Sequence, residues 1–279
     1  MSDALLSHET LVRSLAFAGA LLLLALAEAL WPRRPRRIPR ARRWPVNLAL
    51  VVLGTALMRL LGPFTAVAAA TFAAEHAIGL FNAVALPPSL TIALCVILLD
   101  LVVYAQHVAF HCLPLLWRIH RMHHSDLELD ATSGVRFHPF EYALSMLIKS
   151  TAVLFLGAPV VAVILFEILL NATAMFNHAN LRLPAGVDRV LRRLVVTPDF
   201  HIVHHSTRAD EYNRNFGFNL SWWDYLFGTY KARPEKGPVA LEIGLAPWRD
   251  QAELGLLHLL RMPLLASIDG AVPERGNDG

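Results

Sequence analysis

Residues 16–30 carry a single charge, Glu28, and charge-poor stretches of the same kind follow Val46 and Pro87. Runs of this length fix the solvent. A helix rises 1.5 Å per residue, so about 20 apolar residues cross the roughly 30 Å of bilayer hydrocarbon. Of the 279 residues, 55% are hydrophobic and 17% are charged, with a mean hydropathy of +0.45. A soluble domain carries about 25% charged residues. The composition excludes a water-soluble globule, a disordered chain and a nucleic-acid binder. The sequence pI of 9.1 does not oppose this, because the net charge is only +3 and much of it sits in one arginine cluster. The chain reads as an integral, multi-pass membrane protein of all-α class.

Five segments qualify as spanning helices: 11–31, 46–61, 89–111, 140–157 and 159–178. The stretch 63–81, with Pro63, Glu75 and His76, reads as a re-entrant or interfacial piece. The first segment is an uncleaved anchor, since its positive charges follow the apolar run and no small-residue cleavage site divides them. Seven arginines fall within eleven residues, Arg33, Arg34, Arg36, Arg37, Arg40, Arg42 and Arg43. They belong on the cytoplasmic side, with anionic lipid headgroups as their partner. The amino terminus then lies outside, and alternation delivers 106–111 and 177–180 to the cytosolic face. Cys95 and Cys112 form no CxxC pair and are too few to hold an iron–sulfur cluster. They read as reduced thiols.

Ten of the thirteen histidines lie between positions 107 and 205. His107 and His111 stand four apart. His120, His123 and His124 form HxxHH, and His201, His204 and His205 repeat it 81 residues later. On a helix such spacings aim several imidazoles in one direction. Imidazole suits iron, zinc, copper and nickel. His178 joins the set by its position at the inner end of the fifth segment, and His138 is either a further ligand or a support or helix cap. His8, His76 and His258 fit no spacing. Pro114 opens a helix through His124, Thr197-Pro198-Asp199 opens another under the second HxxHH, and His138-Pro139 begins a third. The intramembrane acids Asp100 and Glu167 are expected to make interhelical hydrogen bonds.

The ordered set of HxxxH, HxxHH-Ser125, R-x-H-P-x-E at 136–141, NHAN at 177–180, TPxFHxxHHS at 197–206 and WDxLFGT at 223–229 resembles the sterol desaturase/fatty acid hydroxylase superfamily. The resemblance spans about 95–230. It implies a membrane helical bundle of four to five transmembrane helices, under a cytosolic helical cap that carries a di-metal site. It also implies a non-haem di-iron enzyme that hydroxylates or desaturates a lipid, with two iron ions (zinc as a substitute), O2 as co-substrate and an external electron-donor protein. The implied ligands are His107, His111, His120, His123, His124, His178, His201, His204 and His205. Relatives with a histidine pair in the NHAN region differ from this chain, which has only His178 there, with Asn171 and Ala174 upstream. A tenth ligand would come from His138 or from Asn177, or is absent. No catalytic side chain is expected beyond the metal ligands.

The domains divide as 1–45, a membrane anchor with its basic loop; 46–230, the catalytic domain; and 231–279, a tail. Residues 221–230 are expected to close the cap against the membrane. A histidine-rich metal transporter or sensor, a bis-histidine haem protein and a zinc-dependent membrane hydrolase are the competing classes. The HxxHH clusters sit in polar segments such as 118–130, whereas transporter sites lie near the bilayer midplane.

Overall fold

Proline marks the start of most of the helices. At the first helical position its missing N–H has no intrahelical partner to lose, and its fixed φ already suits the helix. The computed structural model describes residues 8–62 and 65–265. Within them α1 is Glu9–Leu30, α2 is Arg40–Leu60 behind Pro39, and α3 is the ten-residue Ala66–Glu75. Pro88–Cys112 forms α4, Pro114–His124 α5, Pro139–Leu156 α6, and Val160–His178, behind Pro159, α7. Shorter pieces follow: α8 Ala185–Leu191, α9 Pro198–His201, α10 Trp222–Leu226 and α11 Leu256–Arg261. Among the described residues, β structure amounts to three isolated bridges. The protein is an all-α membrane bundle.

Four helices, α1, α4, α6 and α7, are long and apolar enough to cross a membrane. The segment expected at 46–61 is helical but is not among them. It begins earlier, at Arg40, so that Arg40, Arg42 and Arg43 occupy its first turn and Arg59 its last. The uncharged part, 44–58, covers only about 22 Å. The stretch expected to be re-entrant contains α3, whose Ala66 and Ala70 pack with Leu99 of α4, Val153 of α6 and Phe166 of α7 in the largest apolar core. The outward faces are apolar as well: Leu22, Leu23, Leu147 and Phe155 are exposed.

The C-terminal ends of α1, α4 and α7 and the N-terminal ends of α2 and α6 meet at one end of the bundle. Buried charges join them. Glu28, in the last turn of α1, accepts the main-chain N–H of Ala131 at 2.8 Å and of Asn180 at 2.9 Å, and the Arg40 guanidinium at 2.5 Å. Arg43, in the first turn of α2, pairs with Asp126 and Asp130, each at 2.6 Å. Residues read from the sequence as an anchor and its loop therefore brace the loop 126–136. Glu167 of α7 pairs with Arg13 of α1 at 2.9 Å and with Lys149 of α6, as expected of an intramembrane acid. Asp100 does otherwise. It accepts the N–H of Asn219 at 3.2 Å, that of Leu220 at 3.0 Å and Nε1–H of Trp223 at 2.8 Å, tying α4 to the cap instead of to another long helix.

The sequence division sets 231–279 apart as a tail, yet its described residues are packed. Leu259 and Met262 are fully buried with Trp117 and Met122 of α5. Arg118 donates to the carbonyl of Pro263 at 2.8 Å, and Arg121 to those of Met262 at 2.5 Å and Leu265 at 2.9 Å. These two guanidinium groups fasten the chain's last described turn beneath the helix that carries the first HxxHH.

Candidate metal centre

The last turns of α4 present His107 and His111, α5 ends on His120, His123 and His124, and α7 ends on His178. Thr197-Pro198 opens α9 as expected, but α9 is a single turn. Its continuation, 202–205, is 3₁₀, and Thr197 gives its hydroxyl to Asp188 at 2.6 Å instead of capping. The turn at Ser133–Val135 lies directly on α7. A Cβ at Gly134 would come 2.1 Å from the carbonyl oxygen of Ala174, so this position requires glycine. Arg136 then returns to the end of α5, donating to the carbonyls of Met122 and His123 and, at 3.1 Å, to Ser125 Oγ.

Nine of the ten expected histidines converge, in two groups. His107, His111, His120, His124 and His204 form one, and His123, His178, His201 and His205 the other; within each, the ligand nitrogens lie within 4.8 Å of one another. All nine are at most 2% exposed. Neither HxxHH aims in a single direction. His120 and His124, four apart, face the first group, whereas His123 turns to the second. Successive residues are about 100° apart around a helix, which suffices to divide neighbours between two centres. His204 is likewise separated from His201 and His205.

The second ring nitrogens decide what the groups can hold. His123 Nδ1 donates to the carbonyl of Arg136 at 3.2 Å, and His178 Nδ1 to that of Ala174 at 2.7 Å. A carbonyl only accepts, so both protons are on Nδ1, and each Nε2 is a bare lone pair. Those two Nε2 atoms are 3.1 Å apart. His107 and His120 repeat the arrangement: Nδ1 donates to the Phe216 carbonyl and to Glu141 Oε1, each at 2.7 Å, and their Nε2 atoms face each other at 3.2 Å. Two lone pairs at such a separation are not a hydrogen bond. A shared cation satisfies them, and all-imidazole donors suit iron, zinc, copper or nickel.

Burial, followed by the charge of neighbouring rings, holds His123, His124, His201 and His205 well below the usual histidine range. They are neutral, the form that binds metal. Burial pushes the Asp126 carboxyl up, but Arg43 and Arg136 outweigh it and hold the group at about 2.

His138 lies outside both groups. It caps α6, its Nδ1 accepting the Phe140 N–H at 3.2 Å while Nε2 donates to the Leu260 carbonyl at 3.2 Å. Asn177 stands behind His178, with Oδ1 at 2.5 Å from its Nδ1 and Nδ2 donating to the Phe218 carbonyl. Neither supplies a tenth donor to the groups. The sequence reading passed over Glu141 as the partner of His120, gave Arg43 to lipid headgroups where the structure pairs it with Asp126 and Asp130, and singled out neither Asp126 nor Gly134. Glu28 carried a signal, as the one charge in its apolar run.

The family model for fatty acid hydroxylases matches residues 92–229, from the turns of α4 before His107 through the WDxLFGT segment. The chain belongs to the sterol desaturase/fatty acid hydroxylase superfamily. It is 28% identical over 159 residues to ornithine lipid hydroxylase OlsE of Rhizobium tropici, covering 57% of this chain and 46% of that one. Against alkylglycerol monooxygenase of Homo sapiens the identity is 26% over 138 residues, 48% of this chain and 29% of the relative. Fatty acid hydroxylase vlmA of Lecanicillium sp is 28% identical over 160 residues, 53% of this chain and 44% of the relative. The chain thus spans less than half the length of these relatives. No solved structure matches it. This superfamily member carries every histidine of the two groups between 107 and 205, inside the matched stretch. The bracing residues Glu28 and Arg43 lie outside it.

Proposed function

We propose that this superfamily member is a membrane-bound di-iron oxygenase that hydroxylates a lipid, using O2 and electrons from an external donor protein. The observation that carries this reading is the pairing of bare Nε2 lone pairs in two adjacent, fully buried groups. The names of the relatives, which describe hydroxylases and a monooxygenase of lipids, support the reaction class. When bound, the irons would supply the oxidising power for an unactivated C–H bond, which no side chain has.

The chain's own residues do the rest. Glu141 and the carbonyls of Phe216, Arg136, Ala174 and Arg214 hold Nδ1–H of His120, His107, His123, His178 and His204, fixing the tautomers and ring orientations. Such outer partners set ligand basicity and geometry. Phe137 stacks on His123 with centroids 4.6 Å apart, and Phe218 stands 5.0 Å from His107, so apolar walls keep water from the centre. The arginine run supports a cytosolic side for this end of the bundle, where a lipid would reach it from the bilayer and a soluble donor from the cytoplasm.

Purified protein is expected to hold close to two irons, and His123→Ala and His204→Ala each to lose metal and oxygen-dependent product while still inserting in the membrane. Comparing the lipids of a deletion strain with those of a complemented one identifies the substrate. Full metal and activity in either variant would overturn the assignment.

A further inference from the structure

A cavity of about 330 Å³ lies between the loop 33–37 and residues 236–243, and its inner wall includes Asn177 and His178. Six cationic side chains line it, Arg33, Arg34, Arg36, Arg37, Lys236 and Arg249, against three acidic ones. Some of this charge is answered locally. Arg33 makes a two-pronged pair with Asp199 at 2.8 and 2.9 Å, and Arg36 stands 3.6 Å from Glu28. Arg34 and Arg249 are different. Arg34 donates to the carbonyls of Pro238 and Leu241, and Arg249 to that of Ile243, and among the described residues neither guanidinium has a carboxylate within ion-pair distance. Glu128, a second acid of the lining, spends Oε1 on the main-chain N–H groups of Arg37 and Ile38.

Position joins this charge to the metal centre. The main chain of Arg34 is fixed to the side chain of Asn180 by two hydrogen bonds of 2.9 Å, N–H to Oδ1 and carbonyl from Nδ2. Asn180 follows His178 by two residues, and an extended chain covers at most about 7 Å in that distance. A planar guanidinium matches the oxygens of a carboxylate or phosphate, and partial removal from water strengthens the attraction.

We propose that this cavity binds the anionic headgroup, a carboxylate or phosphate, of the lipid on which the protein acts, holding the atoms next to the head against His178 of the four-histidine group. That the bound lipid is the one acted on rests on the oxygenase reading, but the binding itself is measurable without turnover.

The test uses the full, metal-loaded chain in phosphatidylcholine nanodiscs, with dodecyl phosphate, dodecanoate, dodecanol and inorganic phosphate as probes. Both anionic amphiphiles should bind at least about tenfold more tightly than the alcohol, the scale of one charge-assisted contact. That preference should collapse in Arg34→Gln, with metal content unchanged. Because Arg34 also holds residues 238 and 241, the double variant Arg37→Gln/Arg249→Gln provides the same test if Arg34→Gln melts early. Equal binding of the alcohol, or a preference that survives in both variants, overturns the proposal. Inorganic phosphate binding as tightly as dodecyl phosphate would assign the cavity to a free anion and overturn the lipid assignment. An intact anion preference in a protein that oxidises no lipid would sink the oxygenase reading and leave the anion site standing.

Discussion

His120 gives its Nδ1–H to Oε1 of Glu141 at 2.7 Å, and both side chains are buried at the junction of α5 and α6. A carboxylate in this position strengthens the imidazole as a metal ligand and locks its tautomer. Glu141→Gln keeps the size but replaces the anion with an amide. Metal affinity should fall by about 10- to 100-fold, read by competition with a chelator, while the melting temperature of the metal-loaded protein changes little. Unchanged affinity would show that Glu141 only completes the first turn of α6.

Glu28 receives two main-chain N–H groups and one guanidinium with no exposure to solvent. Its truncation leaves those donors unpaired beside Asp130 and the end of α7 that carries His178. Glu28→Ala should lower stability by about 3 kcal/mol or more and release metal. A variant with wild-type melting and metal content would return the first helix to the status of a plain anchor.

Asp224 accepts the N–H of Phe216 and of Gly217, each at 2.8 Å, and bonds to Thr229 Oγ1 at 2.6 Å, closing the cap beside the His107 partner Phe216. Burial pushes its carboxyl up to about 6 against these hydrogen bonds. A group whose folded value is raised contributes stability that is complete below its unfolded value, near 3.8, and lost as the pH rises through 6. Asn does not titrate, and it turns an amide N–H toward a main-chain donor. The gap in melting temperature between wild type and Asp224→Asn should therefore be widest near pH 4 and narrow by pH 7, by about 3 kcal/mol in stability. A gap that is constant or widens with pH would contradict this account.

Sidedness is open to direct labelling. Thr10, at the start of α1, and Ala209, in the cap, are both exposed, and exposed Cys112 must first be replaced by serine. A thiol reagent that does not cross membranes should label Thr10→Cys only from outside and Ala209→Cys only from the cytosol. Labelling of both from one side would break the alternation of helices.

Much of this molecule is decided by local pattern. Hydropathy over some twenty residues sets each spanning helix, and a proline ahead of α4, α5, α6, α7 and α9 sets where it begins, because both act within a turn or two of chain. Histidine spacing announced a metal centre for the same reason. The spacing did not divide the histidines between the two groups. That depends on which way each turn faces its neighbours, and so HxxHH, a single motif in the sequence, is divided between two groups in space. Only the tertiary structure put His138 at the cap of α6, where spacing left it between ligand and cap, and drew Arg43, in the first turn of α2, into buried pairs with Asp126 and Asp130. Glu28 meets Asn180 across 152 positions, and Arg33 meets Asp199 across 166. Partners so far apart leave no periodic trace in the chain, since only folding brings them to each other.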